Sequence, residues 1–152
     1  MRDDHWEAAL DRVLLLTVLL GQDMTDSLAR MGLTEARAHL LWELRAQGPC
    51  PQRALASALH VTPRAITALV DSLVETGFVT REPCPADRRA ILVTFTELGR
   101  STAAALADGH RELARQLFAD MSAEAFDGFD AGLSHVVNRL RTLLTGAARD
   151  VS

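Results

Sequence analysis

The stretch that decides the fold covers residues 62–99 and reads TPRAITALVDSLVETGFVTREPCPADRRAILVTFTELG. It opens with Thr62-Pro63, in which a hydroxyl suited to an N-cap precedes a proline suited to the first helical turn. Apolar residues then recur at the i, i+3, i+4 and i+7 spacing of one helix face, and Gly77 suits the position just past a helix end. The stretch therefore begins with a predicted helix over 62–76.

A hairpin is predicted directly after this helix. Residues 78–82 are typical of one strand, and residues 90–95, with apolar side chains at every second position, are typical of another. The connection between them is rich in proline and ends in Asp87-Arg88-Arg89. This segment, 83–90, is the predicted wing tip, and a ribbon that ends in arginine has the shape and charge to enter a DNA minor groove.

A shorter helix over 52–59 and a tight turn at His60-Val61 precede the helix over 62–76, which together give the spacing of a helix-turn-helix. Arg64 and Thr67 lie on the face opposite the apolar stripe, near the helix N-terminus, where free N–H groups favour phosphate. An ordinary amphipathic helix with a solvated face would show the same pattern. The arginine-tipped hairpin that follows favours DNA recognition.

Net charge does not by itself point to nucleic acid, because the chain carries 16 basic and 20 acidic side chains. The distribution is uneven. Residues 31–100 hold eight arginines against seven acids, whereas residues 1–30 hold three against six and residues 101–152 hold five against seven. The middle of the chain is thus its least acidic part. All 16 cationic side chains are arginine, which suits phosphate contacts. A genome whose base composition favours arginine codons over lysine codons is the alternative explanation.

Helices are predicted on both sides of this centre, over 5–31, 34–46, 97–121 and 122–145. The first is apolar nearly all round in its central turns, which predicts cover on two sides and hence a partner subunit. The expected fold is mainly α (α+β): one domain over 1–152, with a winged helix-turn-helix lobe over 34–96 and a two-stranded wing. N- and C-terminal dimerisation helices flank this lobe, and a frayed tail follows Gly146.

The sequence resembles the MarR-type winged-helix regulators in three places. Leu33-Thr34-Glu35-Ala36-Arg37 matches the usual opening of their second helix. Residues 69–79, LVDSLVETGFV, look like the end of the family's recognition helix and its first wing strand. Residues 87–99, DRRAILVTFTELG, are similar to its wing signature, with Phe95-Thr96 where Leu-Thr is commoner.

The resemblance implies a homodimeric, sequence-specific DNA-binding transcriptional regulator, a ligand-responsive repressor that reads a pseudo-palindromic operator. Two recognition helices would enter successive major grooves, with half-sites about 34 Å apart. Carried onto matching positions, the DNA contacts fall into three groups: major-groove residues Thr62, Pro63, Arg64 and Thr67; wing residues Arg88 and Arg89, with Asp87 as a brace for a guanidinium; and phosphate-binding residues Gln52 and Arg53.

Family members often bind small aromatic or phenolic effectors, and six residues are candidates to line such a pocket: Trp6, Leu10, Met24, His39, Trp42 and Phe95. A place in the core is the favoured alternative for each of them, and Trp42 is expected among the buried positions of the helix over 34–46. A thiol-based redox sensor is an alternative, because Cys84 lies in the predicted wing and Cys50 in the loop before the helix-turn-helix. A winged-helix module that binds protein instead of DNA is the other alternative, favoured by the overall acidity.

Other classes find little support in the sequence. The five histidines show no metal-ligand spacing, no CxxC is present, and there is no glycine-rich phosphate loop or GxSxG nucleophile elbow. We therefore expect no metal, no cofactor and no enzymatic activity. The start of the chain lacks a signal-peptide pattern, and its longest apolar run is too short to span a membrane, which predicts a cytoplasmic protein.

Overall fold

The computed structural model describes residues 2–149, and the side-chain surroundings of residues 4–146. The described residues form six helices and two strands: α1 Arg2–Arg30, α2 Glu35–Gln47, α3 Gln52–Leu59, α4 Pro63–Glu75, β1 Val79–Pro83, β2 Ile91–Phe95, α5 Glu97–Phe118 and α6 Ala123–Arg149. The predicted fold class, a mainly α winged helix-turn-helix with a two-stranded wing, is confirmed.

Local capping chemistry explains the helix starts of the lobe. The Thr34 hydroxyl accepts a hydrogen bond from the Arg37 N–H at 3.3 Å, and Thr62 accepts one from the Ala65 N–H at 3.1 Å. Each bond satisfies an N–H that the first helical turn leaves without a partner. Between α3 and α4, His60 adopts a left-handed conformation with φ of 54°, which reverses the chain within the turn.

The helix bounds differ most from the predicted ones at the start of α1, which begins at Arg2 instead of residue 5, and at the ends of α5 and α6. Helix α5 stops at Phe118, three residues early, because the Ser122 hydroxyl caps α6 by accepting from the Ala125 N–H at 3.2 Å. Helix α6 runs past Gly146 to Arg149, so the predicted fraying is not seen over residues 146–149. The rest of that predicted tail, 150–152, lies outside the described residues.

The core of the lobe lies between α2, α3, α4 and the sheet. Its most buried large side chains come from all of these elements: Leu40, Leu41, Leu44, Leu55, Ile66, Val70, Leu73, Val79 and Val93. Trp42 was expected among the buried positions of α2, and that expectation is wrong, since 39% of its surface is exposed. Leu40, Leu41 and Leu44 occupy the inward face of the helix, and Trp42 falls beside it.

The wing is an antiparallel pair, with Val79 opposite Phe95 at its base and Pro83 opposite Ile91 towards its tip. Cys50 forms an isolated antiparallel β-bridge with Val93 of β2. The Cys50 N–H donates to the Val93 carbonyl at 3.3 Å, and the Val93 N–H donates to the Cys50 carbonyl at 2.8 Å. The segment before α3 is thereby tied to the wing, although its sequence predicts only a loop.

The chain divides into two compact units, one up to Ala107 and one from Asp108 onwards. In the second unit the Phe118 ring packs against Phe126 and Phe129, with ring centroids 5.5 and 5.7 Å apart, at the turn between α5 and α6. The expectation of one domain over the whole chain stays a prediction.

Both terminal helices expose apolar surface. In α1, Leu14, Leu15 and Leu19 each leave more than half of their surface exposed. In α6 the same holds for Leu140, Leu143 and Leu144. The exposed leucines of each helix, taken separately, indicate an interaction surface.

Candidate nucleic-acid interface

The first turn of α4 forms the centre of the candidate interface. Thr62, Pro63, Arg64 and Thr67 all lie exposed, as a surface that meets a ligand requires. The Thr62 oxygen is engaged by the Ala65 N–H, so its hydroxyl holds the helix start in place. The positive end of the helix dipole adds an affinity for phosphate at this end.

A hydrogen-bonded network of side chains joins α4 to the two neighbouring elements, and we call it the Arg81 network. The Thr67 hydroxyl donates to the Pro63 carbonyl at 2.8 Å and accepts from Gln52 Nε2 at 2.8 Å. Gln52 Oε1 accepts from Arg81 Nε and NH2, at 3.3 and 3.0 Å. The same Arg81 NH2 donates to Asp71 Oδ1 at 2.6 Å.

Of the two residues predicted to contact phosphate from the start of α3, only one is fully exposed. Arg53 is exposed, whereas Gln52 is half-buried and uses both atoms of its carboxamide in the Arg81 network. Gln52 Nε2 carries a second hydrogen that the network does not use, which leaves it a donor for phosphate. Both phosphate contacts stay predictions.

The wing tip is shaped by Asp87. Its carboxylate accepts from the Arg89 N–H at 3.0 Å, its carbonyl accepts from the Ala90 N–H at 3.0 Å, and the Cys84 N–H donates to the Ala90 carbonyl at 2.8 Å. In the described part of the chain no ion pair joins Asp87 to the guanidinium of Arg88 or Arg89. The Asp87 carboxylate instead closes a local turn with the backbone, as a carboxylate two residues before an N–H can, and the brace for a guanidinium stays a prediction.

The comparisons with known proteins agree with this geometry. Residues 33–91 match the model of the MarR family. The matched residues run from just before α2 to the first residue of β2, so the likeness to the MarR family covers the winged helix-turn-helix lobe. The chain is 24% identical over 125 residues to an uncharacterized HTH-type transcriptional regulator, YwhA of Bacillus subtilis, covering 82% of this chain and 90% of that one. It is 29% identical over 77 residues to the HTH-type transcriptional repressor MdtR of the same organism, covering 51% and 50%.

A solved structure with the same fold is that of Streptococcus pneumoniae FabT in complex with DNA. The two superpose with a TM-score of 0.75 at 18% identity, over 88% of this chain and 99% of FabT. At that identity the likeness concerns the fold. The resemblance to MarR-type regulators inferred from the sequence is confirmed, and the relatives described above are named as regulators rather than enzymes.

Arg81 is the residue of this MarR-type lobe that sequence patterning missed. The signal was present in the strand register: Arg81 stands two residues after buried Val79 and directly opposite buried Val93. Residues in those positions share one face of the sheet, and the Arg81 side chain on that face keeps 33% of its surface exposed. The Asp71 carboxylate, on the exposed face of α4, is its ion-pair partner at 2.6 Å.

The two cysteines differ in environment. Cys50 is buried, and burial together with the nearby Glu43 carboxylate raises the pKa of its thiol. A raised pKa disfavours the thiolate, which is the reactive form. Cys84 is half-buried in the wing. Of the two thiols, Cys84 is the more accessible, and a redox-sensing role stays a prediction.

The six candidate effector-lining residues do not converge on one groove. Phe95 is half-buried, and the other five, Trp6, Leu10, Met24, His39 and Trp42, are exposed. Two open surface grooves lie on the first unit: one of about 600 Å³ between Thr17 and Glu35, and one of about 330 Å³ beside Phe78 and Leu98. None of the six residues lines either groove, and the effector site stays a prediction.

Membrane-spanning helices and metal-ion clusters are both absent from the described residues. Over residues 2–149, no helix is long and apolar enough to cross a membrane. In the same part of the chain, no three His, Cys, Asp or Glu side chains come together in a way that could hold a metal ion.

Proposed function

We propose that this regulator binds a pseudo-palindromic DNA operator as a homodimer and acts as a repressor in the cytoplasm. The observation that carries the proposal is an exposed first turn of α4, with Arg64, on the same lobe as a wing that ends in Arg88 and Arg89. Arginine at both places offers bidentate contacts, to guanine in the major groove and to the electronegative minor groove. The solved DNA complex of FabT and the name of MdtR support the DNA target and the repressor role.

The homodimer is supported by the apolar surfaces of α1 and α6. A stable dimer buries at least about 1,200 Å² in total, and obligate dimers bury more, with an apolar centre. Side chains such as Leu15 and Leu144, which are 56% and 64% exposed, supply apolar surface for such a centre. Two-fold symmetry then presents two α4 helices about one DNA turn, roughly 34 Å, apart. Dissociation into monomers at micromolar concentration in analytical ultracentrifugation would contradict this part of the proposal.

Control by a small aromatic or phenolic effector is the finer part of the proposal. The resemblance to the family supports this part of the proposal, and the two open grooves on the first unit are the places at which to look for such a ligand. A panel of hydroxybenzoates tested by thermal shift and by release of bound operator probes this part. If no compound changes the melting temperature or releases the operator, control by phenolic compounds is refuted.

The direct test is fluorescence anisotropy with DNA that flanks the gene, against a scrambled duplex, over a series of salt concentrations. We expect the scrambled duplex to bind at least a hundredfold more weakly. Arg64→Ala should cost about 1–3 kcal/mol on operator DNA and relax specificity at one base pair. Arg88→Ala and Arg89→Ala should weaken binding and each flatten the salt dependence.

Arg115→Ala is the matched control, because Arg115 is an exposed arginine of α5 that pairs with Glu112 of its own helix. It should bind like the unmodified protein. Equal affinity for operator and scrambled DNA at every salt concentration would exclude a sequence-specific regulator and favour the protein-binding module. Unchanged affinity in both wing variants would exclude the wing from the interface.

A further inference from the structure

The Arg81 network ties together three elements that a winged helix must hold in register to read DNA. Its members come from the start of α3, the exposed face of α4 and the middle of β1. We propose that Arg81 is a positioning residue that sets the angle between the recognition helix α4 and the wing. This inference rests on the proposed DNA-binding function and concerns how the same surface achieves specificity.

The side chains of Thr67 and Gln52 are both held by hydrogen bonds within the Arg81 network. Thr67 has one hydroxyl proton, and it is spent on the Pro63 carbonyl, while its oxygen accepts from Gln52. Gln52 Oε1 takes two hydrogen bonds from Arg81. Each side chain is thus held by its neighbour, and the Arg81 guanidinium is the member that joins the chain of bonds to Asp71.

The Arg81 network also places a cation beside the carboxylate of Asp71. Asp71 stands one helical turn after Thr67, on the face of α4 that is proposed to meet DNA, and 59% of its side chain is exposed. An unpaired carboxylate there would repel phosphate. The Arg81 guanidinium, 2.6 Å away, neutralises it. The pair lets an acidic residue stand on a surface that approaches a polyanion.

Strand β1, which carries Arg81, is held in place by the sheet and the core. The partner of Arg81 across the sheet is Val93, which is fully buried and also pairs with Cys50. The backbone of Arg81 is therefore held by the sheet and the core, whereas α4 is the element that must fit the groove. A guanidinium on a fixed strand can orient the helix, because its fork directs hydrogen bonds to two partners at once.

The network contributes little to folding stability, because the Arg81 side chain is 33% exposed and its Asp71 partner more so. Its removal should therefore change DNA recognition more than the melting temperature. This difference separates a positioning role from a merely structural one.

Arg81→Lys is the decisive variant, because it keeps the charge and loses the fork. We expect the ratio of operator to scrambled-DNA affinity to fall roughly tenfold, with the slope of log affinity against log salt unchanged. If Arg81 instead binds phosphate directly, lysine should preserve most of the affinity, and Arg81→Met should reduce the salt slope by about one. That outcome would overturn the proposal.

Asp71→Asn provides an independent test that does not alter the strand. A positioning role predicts a lower operator-to-scrambled ratio, and it predicts that Arg81→Lys costs less in the Asp71→Asn background than alone. A purely repulsive Asp71 predicts the opposite: tighter binding to both duplexes and no coupling between the two positions. The melting temperature of each variant should stay within about 3 °C of the unmodified protein.

The failures of the two proposals are distinguishable. If the unmodified protein and Arg115→Ala show no operator preference, the DNA-binding function itself fails. If both prefer the operator and Arg81→Lys retains the full preference with a normal melting temperature, only the positioning role of Arg81 is refuted.

Discussion

Replacing Gly99 with alanine places a methyl group against the backbone at the end of the recognition helix. Gly99 is buried in the first turn of α5, and its N–H donates to the Thr96 hydroxyl oxygen at 3.1 Å. That hydroxyl donates to the Gly77 carbonyl at 2.6 Å, and the Thr96 N–H donates to the Phe78 carbonyl at 3.1 Å. The start of α5 is thus bonded directly to the turn that links α4 to the wing.

The steric effect of the added methyl group follows from its position. It would overlap the Phe78 carbonyl oxygen and lie 2.9 Å from the Phe78 carbonyl carbon and 3.0 Å from Phe95 Cδ1. Backbone atoms cannot rotate away as a flexible side chain can, so α5 or β1 has to move. Overpacking of this kind costs about 1–3 kcal/mol, and alanine regains about 0.5–1 kcal/mol of helix propensity.

We therefore expect Gly99→Ala to lose about 2 kcal/mol of unfolding free energy, near the upper end because the obstructing atoms are backbone. For a chain of this length that lowers the melting temperature by roughly 4–8 °C. The assay is far-UV circular dichroism during thermal unfolding, with all variants at one protein concentration, since oligomers melt in a concentration-dependent way.

Gly109→Ala in the same helix is the matched control. A methyl group there meets nothing within 4 Å, so only the helix-propensity gain remains. This variant should gain about 0.5–1 kcal/mol and melt slightly higher than the unmodified protein. A Gly99→Ala protein as stable as Gly109→Ala would refute the close packing of α5 against Phe78.

Three other predictions concern the lobe. Thr62→Ala should lose about 1 kcal/mol of stability and Thr62→Ser almost none, because serine keeps the oxygen that accepts from the Ala65 N–H; urea unfolding at equal slope measures both, and equal loss in the two variants contradicts the cap. Iodoacetamide at neutral pH should label Cys84 much faster than Cys50, whose pKa is raised by burial; mass spectrometry of tryptic peptides reports the two rates, and equal rates in the folded protein would disagree. Asp87→Ala should weaken operator binding while Asp87→Asn retains it, because an amide oxygen can still accept from the Arg89 N–H; if asparagine binds as poorly as alanine in fluorescence anisotropy, the carboxylate charge matters instead.

Much of the lobe follows from signals that act within a few residues. Thr34 and Thr62 cap their helices, and Gly77 takes up a φ of 85° after α4, as their positions in the sequence predict. Apolar periodicity located α3 and α4 to within a residue, and alternation located the wing. Caps, turns and periodic faces depend on atoms close together along the chain, so they are legible before the fold is known.

The candidate interface was predictable in its outline and not in its internal bonding. Arg64 and the wing arginines lie exposed as predicted, but Asp87 holds a backbone N–H rather than a guanidinium. Which of these two partners Asp87 bonds to depends on the exact geometry of the turn. Composition and spacing identify which residues meet, and not which of their atoms bond.

Residues 52–99 by themselves determined that this protein has a winged helix-turn-helix, because helix caps, strand alternation and an arginine-tipped turn are local properties. Only the tertiary structure decided that Arg81 joins Gln52, 29 residues away, to Asp71, and that Cys50 pairs with Val93. These groups meet once the core of α2, α3 and α4 has packed, since packing alone brings donors and acceptors from distant segments within hydrogen-bond range.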